Sequence, residues 1–129
     1  MRCDVLQTVI NDFVRAINAH DPHALDSLMS DDHVFIDAHG NEMHGRDTMH
    51  QGWAGYFQLF PDYTIEIHDM FGSGETVALF GSARGTFNGT ANSWKIPVAW
   101  KAVVRNGRVA LWQVFGDTKL PFESMKTEE

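Results

Sequence analysis

The spacing of apolar residues changes character once along this chain, at Pro61-Asp62. Before that point, three stretches repeat apolar residues every three or four positions, which is typical of amphipathic helices. After it, four stretches alternate apolar and polar residues, which is typical of half-buried strands. Helices that precede the strands predict an α+β domain in which the helices cover one face of a mostly antiparallel sheet.

Turn and capping residues set the bounds of these elements. Asp21-Pro22 starts the second helix, Asp47 caps the third, and Pro61 ends it. A single strand, His33–His39, comes between the helices, and the polar tail from Lys119 to Glu129 is expected to fray. The predicted helices cover residues 2–19, 21–30 and 47–60, and the later strands cover 63–71, 76–87, 94–105 and 108–117.

Length and composition exclude several classes of protein. The 129 residues, 43% of them hydrophobic, suffice for one domain over residues 1–129, with its core at about 4–121. A net charge of -7 argues against nucleic-acid binding, and no apolar run is long enough for a membrane span. The single Cys3 allows no intrachain disulfide, which favours a cytoplasmic protein. Because nucleotide- and dinucleotide-binding motifs are absent, we expect no cofactor.

Asn106-Gly107 is the strongest turn signal in the chain and predicts a two-residue type I′ hairpin. Counting back from this turn along both strands gives the facing residues. Since alternate residues share a face, one face carries apolar side chains with only two polar ones, Gln113 and Asp117. We expect this to be the concave face that the helices cover, with these pairs on it: Ala102 and Leu111, Trp100 and Gln113, Val98 and Phe115, Ile96 and Asp117.

The opposite face of the same hairpin carries a second apolar stripe. A solvent-exposed sheet face should carry polar residues, and burial against a second copy of the chain would remove the conflict. We therefore expect a homodimer that pairs through the outer sheet face at Ala99, Val103, Trp112 and Val114.

Two aspartates fall on strand faces that carry large apolar side chains, where an unpaired carboxylate is costly. Asp117 either points to water or caps a neighbouring backbone N–H at the end of its strand, or it faces a ligand. Asp37 shares a face with Phe35 and His39, so it points inward if Phe35 does. If the alternate residues of that strand form the core side, Asp37 faces solvent. The periodicity leaves both alternatives open.

The chain has seven histidines, which raises the question of a metal site. His39, His44 and His50 do not follow the short spacings that are typical of metal ligands. We therefore expect no metal.

Four segments follow one another as FVRAINAHDPHALDSLMSDD, HVFIDAHGNEMHGRDTM, LFPDYTIEIHDMFGSGETVALFGSARGTFNG and WKIPVAWKAVVRNGRVALWQVFGDTKLP. In this order and spacing they resemble the SnoaL-like branch of the nuclear transport factor 2-like superfamily, which also contains ketosteroid isomerases. The resemblance covers about residues 4–121. It implies a cone-shaped α+β barrel, in which a curved, mostly antiparallel sheet wraps around three N-terminal helices and leaves an internal pocket. It also implies dimers that pack through the outer sheet face.

Residue by residue, the resemblance carries over only in part. Asp37 falls at the position of the general base of ketosteroid isomerases, and Asp117 falls where many SnoaL-like proteins carry an aspartate after the last strand. Phe13 stands where the isomerases have their oxyanion-hole tyrosine, and Trp100 and Lys101 stand near their protonated aspartate. Both hydrogen-bond donors of a steroid isomerase are therefore missing.

Two functions compete on the sequence alone. The first is an enzyme that moves a proton on a small, apolar carbonyl compound, as polyketide cyclases and isomerases do, with Asp37 or Asp117 as the base. Gln113 or His39 would bind the developing oxyanion, and aromatic residues would form the walls: Phe13, Trp53, Phe57, Trp100 and Phe115. The second is a dimeric module that binds a ligand without chemistry, which the missing donors favour.

A general base that works near neutral pH needs a pKa above the usual aspartate value of about 3.9. Burial beside Phe35, Trp53 or Phe57 would raise the pKa of Asp37 by disfavouring the charged form. On this hypothesis, Asp37→Asn abolishes turnover and slightly raises the free energy of unfolding at neutral pH.

Overall fold

The computed structural model of the protein describes residues 2–126 and confirms the α+β architecture. None of the described helices is long and apolar enough to cross a membrane. The helices are α1 (Arg2–Asn18), α2 (Pro22–Leu28), α3 (Arg46–Leu59) and α4 (Lys119–Ser124). The strands are β1 (Met29–Ile36), β2 (Glu42–His44), β3 (Thr64–Ser73), β4 (Thr76–Thr86), β5 (Ser93–Arg105) and β6 (Arg108–Phe115).

The six strands form one curved sheet in the order β2-β1-β6-β5-β4-β3. Neighbouring strands are antiparallel except β1 and β6, which run parallel. A parallel pair needs a long connection, and here that connection contains α3 and the other half of the sheet. The strand that lies between the helices is thereby paired on both sides, between β2 and β6.

The hydrophobic core lies between the helices and one face of this sheet. α1 contributes Ile10, Phe13 and Ile17, which are fully buried and recur at the helical spacing seen in the sequence. β5 contributes every second residue, as expected for a strand with one covered face. Its buried residues are Trp94, Ile96, Val98, Trp100, Ala102 and Val104.

The two turn signals that bound these elements are confirmed. The Asp21 side chain accepts a hydrogen bond of 3.1 Å from the backbone N–H of Ala24, and Pro22 is the first residue of α2. Asn106 and Gly107 both have positive φ, 55° and 76°, as a type I′ turn requires. The helix start and the hairpin therefore follow from local backbone chemistry.

The predicted register of the β5–β6 hairpin is wrong beyond the second pair. The pairing follows the prediction as far as Val104 and Val109, after which Ala110 has no partner and Val103 faces Leu111. This extra residue is a β-bulge. Because side chains alternate between the two faces, a shift by one residue moves all the following β6 side chains to the opposite face.

The bulge corrects the predicted faces of β6. Trp112 and Val114 pair with inward-facing residues of β5, whereas Gln113 and Phe115 pair with the outward-facing Lys101 and Ala99. Gln113 and Phe115 are therefore not on the concave face. The predicted outer stripe of Ala99, Val103, Trp112 and Val114 keeps only its first two members on the outside.

Several element bounds also differ from the prediction. β1 starts at Met29 rather than His33, and α3 starts after Gly45, whose φ of 100° suits glycine, rather than at Asp47. β2 was not predicted, because three residues are too few to show a period. The described part of the tail that was predicted to fray instead contains α4, which packs on β5, and residues 127–129 of that tail lie outside the described residues.

Gly81 allows β4 to approach β3 at a second bulge. A Cβ atom at this position would lie 1.8 Å from the carbonyl oxygen of Glu66. The register of the two strands shifts at this point, between Ile67 and Asp69. Bulges bend a strand and increase its twist, so this contact contributes to the curvature of the sheet around the helices.

Candidate functional site

A cavity of about 360 Å³ lies between the sheet and α3, with α4 at its border. Ligand sites commonly occupy roughly 300–1,000 Å³, and a cavity of about 150 Å³ is enough for benzene. There is thus room for about two fused six-membered rings. The lining from the helices is Met49, Gly52, Trp53, Tyr56, Pro121 and Phe122, and the sheet contributes Phe35, Met43, Ala83, Trp94, Ile96, Val98, Trp112 and Val114.

The buried part of this cavity, which we call the inner end, is formed by Tyr56, Phe60, Tyr63 and Trp94. The rings of Tyr56 and Tyr63 meet edge to face at 4.8 Å, and those of Phe60 and Trp94 do so at 5.4 Å. A Cβ atom at Gly85 would lie 3.1 Å from the Trp94 ring, so the glycine leaves room for the indole. The inner end is a packed aromatic wall.

The inner end carries hydrogen-bond donors that the protein does not use. The hydroxyl groups of Tyr56 and Tyr63 make no hydrogen bond to any residue in the range 2–126. A tyrosine hydroxyl is neutral at physiological pH at its ordinary pKa of about 10, and burial raises the pKa of both groups further. Within the same range, the buried indole N–H groups of Trp53 and Trp94 also have no acceptor. The two buried, unpaired indole donors are costly, and a ligand oxygen in the cavity could pair with them or with the tyrosine hydroxyls.

The exposed part of the cavity, which we call the mouth, is formed by Asp37, His39, Thr118 and Phe122. Nε2 of His39 lies 3.0 Å from Oγ1 of Thr118, and its ring lies 5.6 Å from that of Phe122. These contacts join the loop after β1 to the start of α4. The mouth therefore depends on the C-terminal helix that the sequence did not predict.

Asp37 lines the cavity, and Phe35 on the same strand face does too, which decides between the two orientations left open by the sequence. The carboxylate accepts hydrogen bonds of 2.9 Å from the backbone N–H groups of both His39 and Asn41, and the Asn41 amide lies 3.3 Å away. Partial burial by itself would raise the pKa of Asp37, but these hydrogen bonds outweigh it and lower the pKa. The predicted rise is therefore wrong.

Of the predicted site residues, Asp37, His39 and Trp53 line the cavity. Phe13, Phe57 and Trp100 are buried behind the wall instead. Phe13 and Trp100 pack against Trp112, at 4.8 and 6.1 Å, and Phe57 stacks on Trp53 at 5.6 Å. These three support the lining residues without reaching the cavity.

The remaining predictions lie outside the cavity. Gln113 and Phe115 face outward because of the β6 bulge. Asp117 is exposed after the end of β6, and its carboxylate accepts a hydrogen bond of 2.9 Å from the backbone N–H of Lys119 at the start of α4. The structure therefore does not bring Asp37 and Asp117 together in the cavity.

Sequence reasoning missed Tyr56, Tyr63, Trp94 and Phe122. For the first three a signal was present: Tyr56 follows Trp53 by three residues on α3, and Trp94 shares the two-residue period of the buried face of β5. Tyr63 precedes β3, two residues before the buried Ile65. Phe122 had no such signal, because its helix is too short to show a period.

Among the described residues, one group of three potential metal ligands comes together, and it lies outside the cavity lining. It consists of His23 and Asp26 on α2 and His50 on α3. The expectation of no metal considered spacing along the chain, not contacts between helices.

Comparison with known protein families and solved structures agrees with the observed fold. A family model for the SnoaL-like domain matches residues 10–112. The chain belongs to the SnoaL-like family. A search among curated proteins finds no match.

Solved structures share the fold at low sequence identity. A putative SnoaL-like polyketide cyclase from Jannaschia sp. CCS1 superposes with a TM-score of 0.86 at 12% identity, covering 98% of this chain and 94% of that one. IdmH, a putative polyketide cyclase from Streptomyces antibioticus, gives 0.78 at 23% identity, with 93% and 97% covered. An LEH-like epoxide hydrolase from M. tuberculosis gives 0.81 at 16% identity, with 95% and 90% covered. At these identities the likeness establishes the fold and not the reaction.

Proposed function

We propose that this protein binds a small, mostly apolar molecule of about two rings that carries a carbonyl oxygen, and that this oxygen lies at the inner end of the cavity. The observation that carries the proposal is the pair of neutral hydroxyl groups of Tyr56 and Tyr63, which have no hydrogen-bond partner among the described residues and lie at the mostly apolar inner end of the cavity. The small-molecule enzymes among the solved relatives are consistent with it.

The chemistry of the inner end supports an oxygen acceptor rather than a cation or an anion. Both tyrosines are neutral at physiological pH, as the ordinary tyrosine pKa of about 10 already requires, and burial raises the pKa further, so they offer O–H groups and no negative charge. Among the described residues, no lysine or arginine lines the cavity, so a free carboxylate or phosphate would enter without a counter-charge from this part of the chain. A carbonyl oxygen accepts hydrogen bonds at a much smaller desolvation cost.

A matched pair of ligands tests the proposal. Calorimetric titration compares 1-tetralone, a bicyclic ketone, with tetralin, the same ring system without the oxygen. Because one hydrogen bond contributes about 0.5–1.5 kcal/mol, we expect the ketone to bind roughly 3- to 10-fold more tightly. Tyr56→Phe combined with Tyr63→Phe should remove that preference, and His68→Gln, on the exposed surface, should keep it. Equal affinity for the two ligands in the wild type would contradict the proposal.

Proton transfer is the second candidate function, and the position of Asp37 favours it. The carboxylate lines the mouth and is ionised at neutral pH, while the hydroxyl donors lie at the inner end. A ketone whose oxygen accepts from Tyr56 or Tyr63 would have its charge stabilised on enolisation, and Asp37 would take the proton from the neighbouring carbon. Its lowered pKa makes it a weaker base than the sequence hypothesis required.

Exchange of the ligand's own hydrogens with solvent distinguishes an enzyme of this type from a module that only binds the ligand. NMR in D₂O measures exchange of the two hydrogens next to the carbonyl of 1-tetralone. If the protein is an enzyme of this type, it accelerates exchange above buffer, and Asp37→Asn slows that exchange by about 100-fold or more. Saturable binding without accelerated exchange would instead favour the module without chemistry.

We also propose that a second copy of the chain covers the outer sheet face. The exposed apolar side chains there are Phe71, Phe80 and Phe115, beside Ala99. Apolar patches of this kind commonly mark interfaces, and a two-fold pairing buries the same patch on both chains. Sedimentation should find a dimer at micromolar concentration and a monomer for Phe80→Asp with Phe115→Asp. A monomeric wild type would contradict this.

A further inference from the structure

We propose that His23, Asp26 and His50 bind a divalent transition-metal ion of the Zn²⁺ type, at a site between α2 and α3 and outside the cavity. This site has no part in the ligand binding proposed above. It stands on the geometry of three side chains and on one buried, unpaired oxygen.

The packing of two helices brings the three side chains together. His23 and Asp26 are three residues apart on α2 and therefore lie on the same face. α3 packs against α2 and presents His50, whose ring lies 5.2 Å from that of His23. One potential ligand atom from each residue lies within 4.8 Å of the other two.

The spacing suits zinc with a small adjustment. Nitrogen and oxygen atoms that bind a tetrahedral metal at about 2.0–2.2 Å are about 3.4 Å apart from one another. The three ligand atoms here lie within 4.8 Å of one another, so the most distant pair must approach by roughly 1.5 Å at most. His23 is exposed, so its side chain can adjust without disturbing the core, whereas Asp26 and His50 already touch, with Nδ1 of His50 2.7 Å from Oδ2 of Asp26.

Asp26 provides a second, independent observation. Its Oδ1 is buried and has no hydrogen-bond partner in the described part of the chain, while Oδ2 is bound to His50. A buried carboxylate oxygen without a donor is costly. A metal ion between the helices would accept this lone pair.

The charges around the site do not oppose a cation. Arg46 lies one helical turn before His50 on α3, and its guanidinium is 2.8 Å from the carboxylate of Asp31. That pairing neutralises the cation nearest to His50 along the helix, and the whole chain carries a net charge of -7. Two imidazoles with one carboxylate favour Zn²⁺ or a similar ion over Mg²⁺, which prefers oxygen ligands.

The other histidine–carboxylate pairs of the protein serve as an internal comparison. His44 contacts Glu42 at 2.9 Å, and His68 contacts Glu66 at 3.0 Å, but each of these is an exposed pair without a third ligand in the described residues. Two ligands on one strand do not make a convergent site. His68→Gln is therefore the matched control.

The experiment is a calorimetric titration of untagged, chelator-treated full-length protein with ZnCl₂, and with MgCl₂ as a comparison. A Cys3→Ser background keeps the thiol from binding zinc. We expect one Zn²⁺ per chain, no response to Mg²⁺, and a higher Tm with zinc. His23→Gln and His50→Gln should each lower the zinc affinity by at least about 100-fold, and His68→Gln should leave it unchanged.

The exposed position of His23 keeps the test independent of folding, because His23→Gln removes a ligand without touching the core. Circular dichroism of each variant confirms that it is folded. The proposal is overturned if the Cys3→Ser protein shows no saturable zinc binding, if folded His23→Gln binds as tightly as its parent, or if His68→Gln loses as much affinity as the ligand variants.

Discussion

The two ends of the cavity differ in both chemistry and packing. The inner end is built from buried aromatic rings with neutral donors, Tyr56 and Tyr63, whereas the mouth carries Asp37 and His39 beside half-exposed Phe122. The inner end belongs to the hydrophobic core, and the mouth is a contact between a loop and a six-residue helix. The comparison shows that one cavity combines a wall from the hydrophobic core with a rim held by a contact between a loop and a short helix.

The largest expected effect comes from removing the aromatic wall. Trp94 packs edge to face against Phe60 and is 6% exposed, while Phe122 is 50% exposed. Trp94→Ala should lower the free energy of unfolding by about 3–5 kcal/mol, and Phe122→Ala should lower it by less than about 1 kcal/mol. Urea unfolding of both variants measures the difference. Equal losses would break the comparison between a packed inner end and a loose mouth.

The next effect concerns the buried His33 behind the cavity. Nδ1 lies 2.7 Å from the Val109 carbonyl oxygen, and Nε2 is buried without a partner in the described range. Burial lowers the pKa of His33, although the Val109 contact and the charge of Asp32 oppose this. The unfolded chain therefore binds a proton more readily than the native one. Stability should be complete above about pH 6.5 and fall below it.

The contribution of His33 is measured as the free energy of unfolding at several pH values. Between pH 7 and 5 the slope from one group is at most about 1.4 kcal/mol per pH unit. His33→Gln, which keeps a donor for the Val109 carbonyl, should flatten the profile. The exposed His68→Gln should not. If the free energy of unfolding of His33→Gln depends on pH as that of the wild type does, the prediction for His33 is wrong.

A smaller effect is expected at the mouth. The folded state lowers the pKa of Asp37, so its contribution to stability is present above the ordinary value of about 3.9 and is lost as the pH falls through the lower folded value. Asp37→Asn should therefore lower the free energy of unfolding at pH 7, the reverse of the sign expected from a raised pKa. Solvent screening keeps the loss modest.

The pH dependence of that loss distinguishes the charge from the shape of the side chain. The difference between Asp37→Asn and the wild type should shrink as the pH falls below about 4. Glu123→Gln changes the charge equally at an exposed site and is the control. A constant difference across this range would show that the hydrogen bonds to Asp37 do not depend on its ionisation.

Much of the fold could be predicted because local chemistry decides it. The helical period of α1, the Asp21 cap and the Asn106-Gly107 turn each act within a few residues, and all three are confirmed. The faces of β6 could not be predicted in the same way. One unpaired residue, Ala110, reverses every later side chain, and nothing in the local pattern marks it as a bulge.

The site was predicted less well because it depends on contacts between distant segments. Asp37, His39 and Trp53 were found from patterns on their own elements. Phe115 was misplaced because the bulge reverses its face, and Asp117 takes the alternative in which it is exposed and caps a backbone N–H, that of Lys119 at the start of α4. Short elements such as α4 form through tertiary packing rather than through their own periodicity.

The most direct test of the central proposal is a crystal structure of the protein with 1-tetralone bound. We expect the ketone to lie in the cavity, with its oxygen about 2.7–3.0 Å from the hydroxyl group of Tyr56 or Tyr63. Its ring carbons would contact Trp94, and its saturated edge would point towards Asp37. A ketone outside the cavity, or one with its oxygen at the mouth and no contact with either tyrosine, would contradict the account.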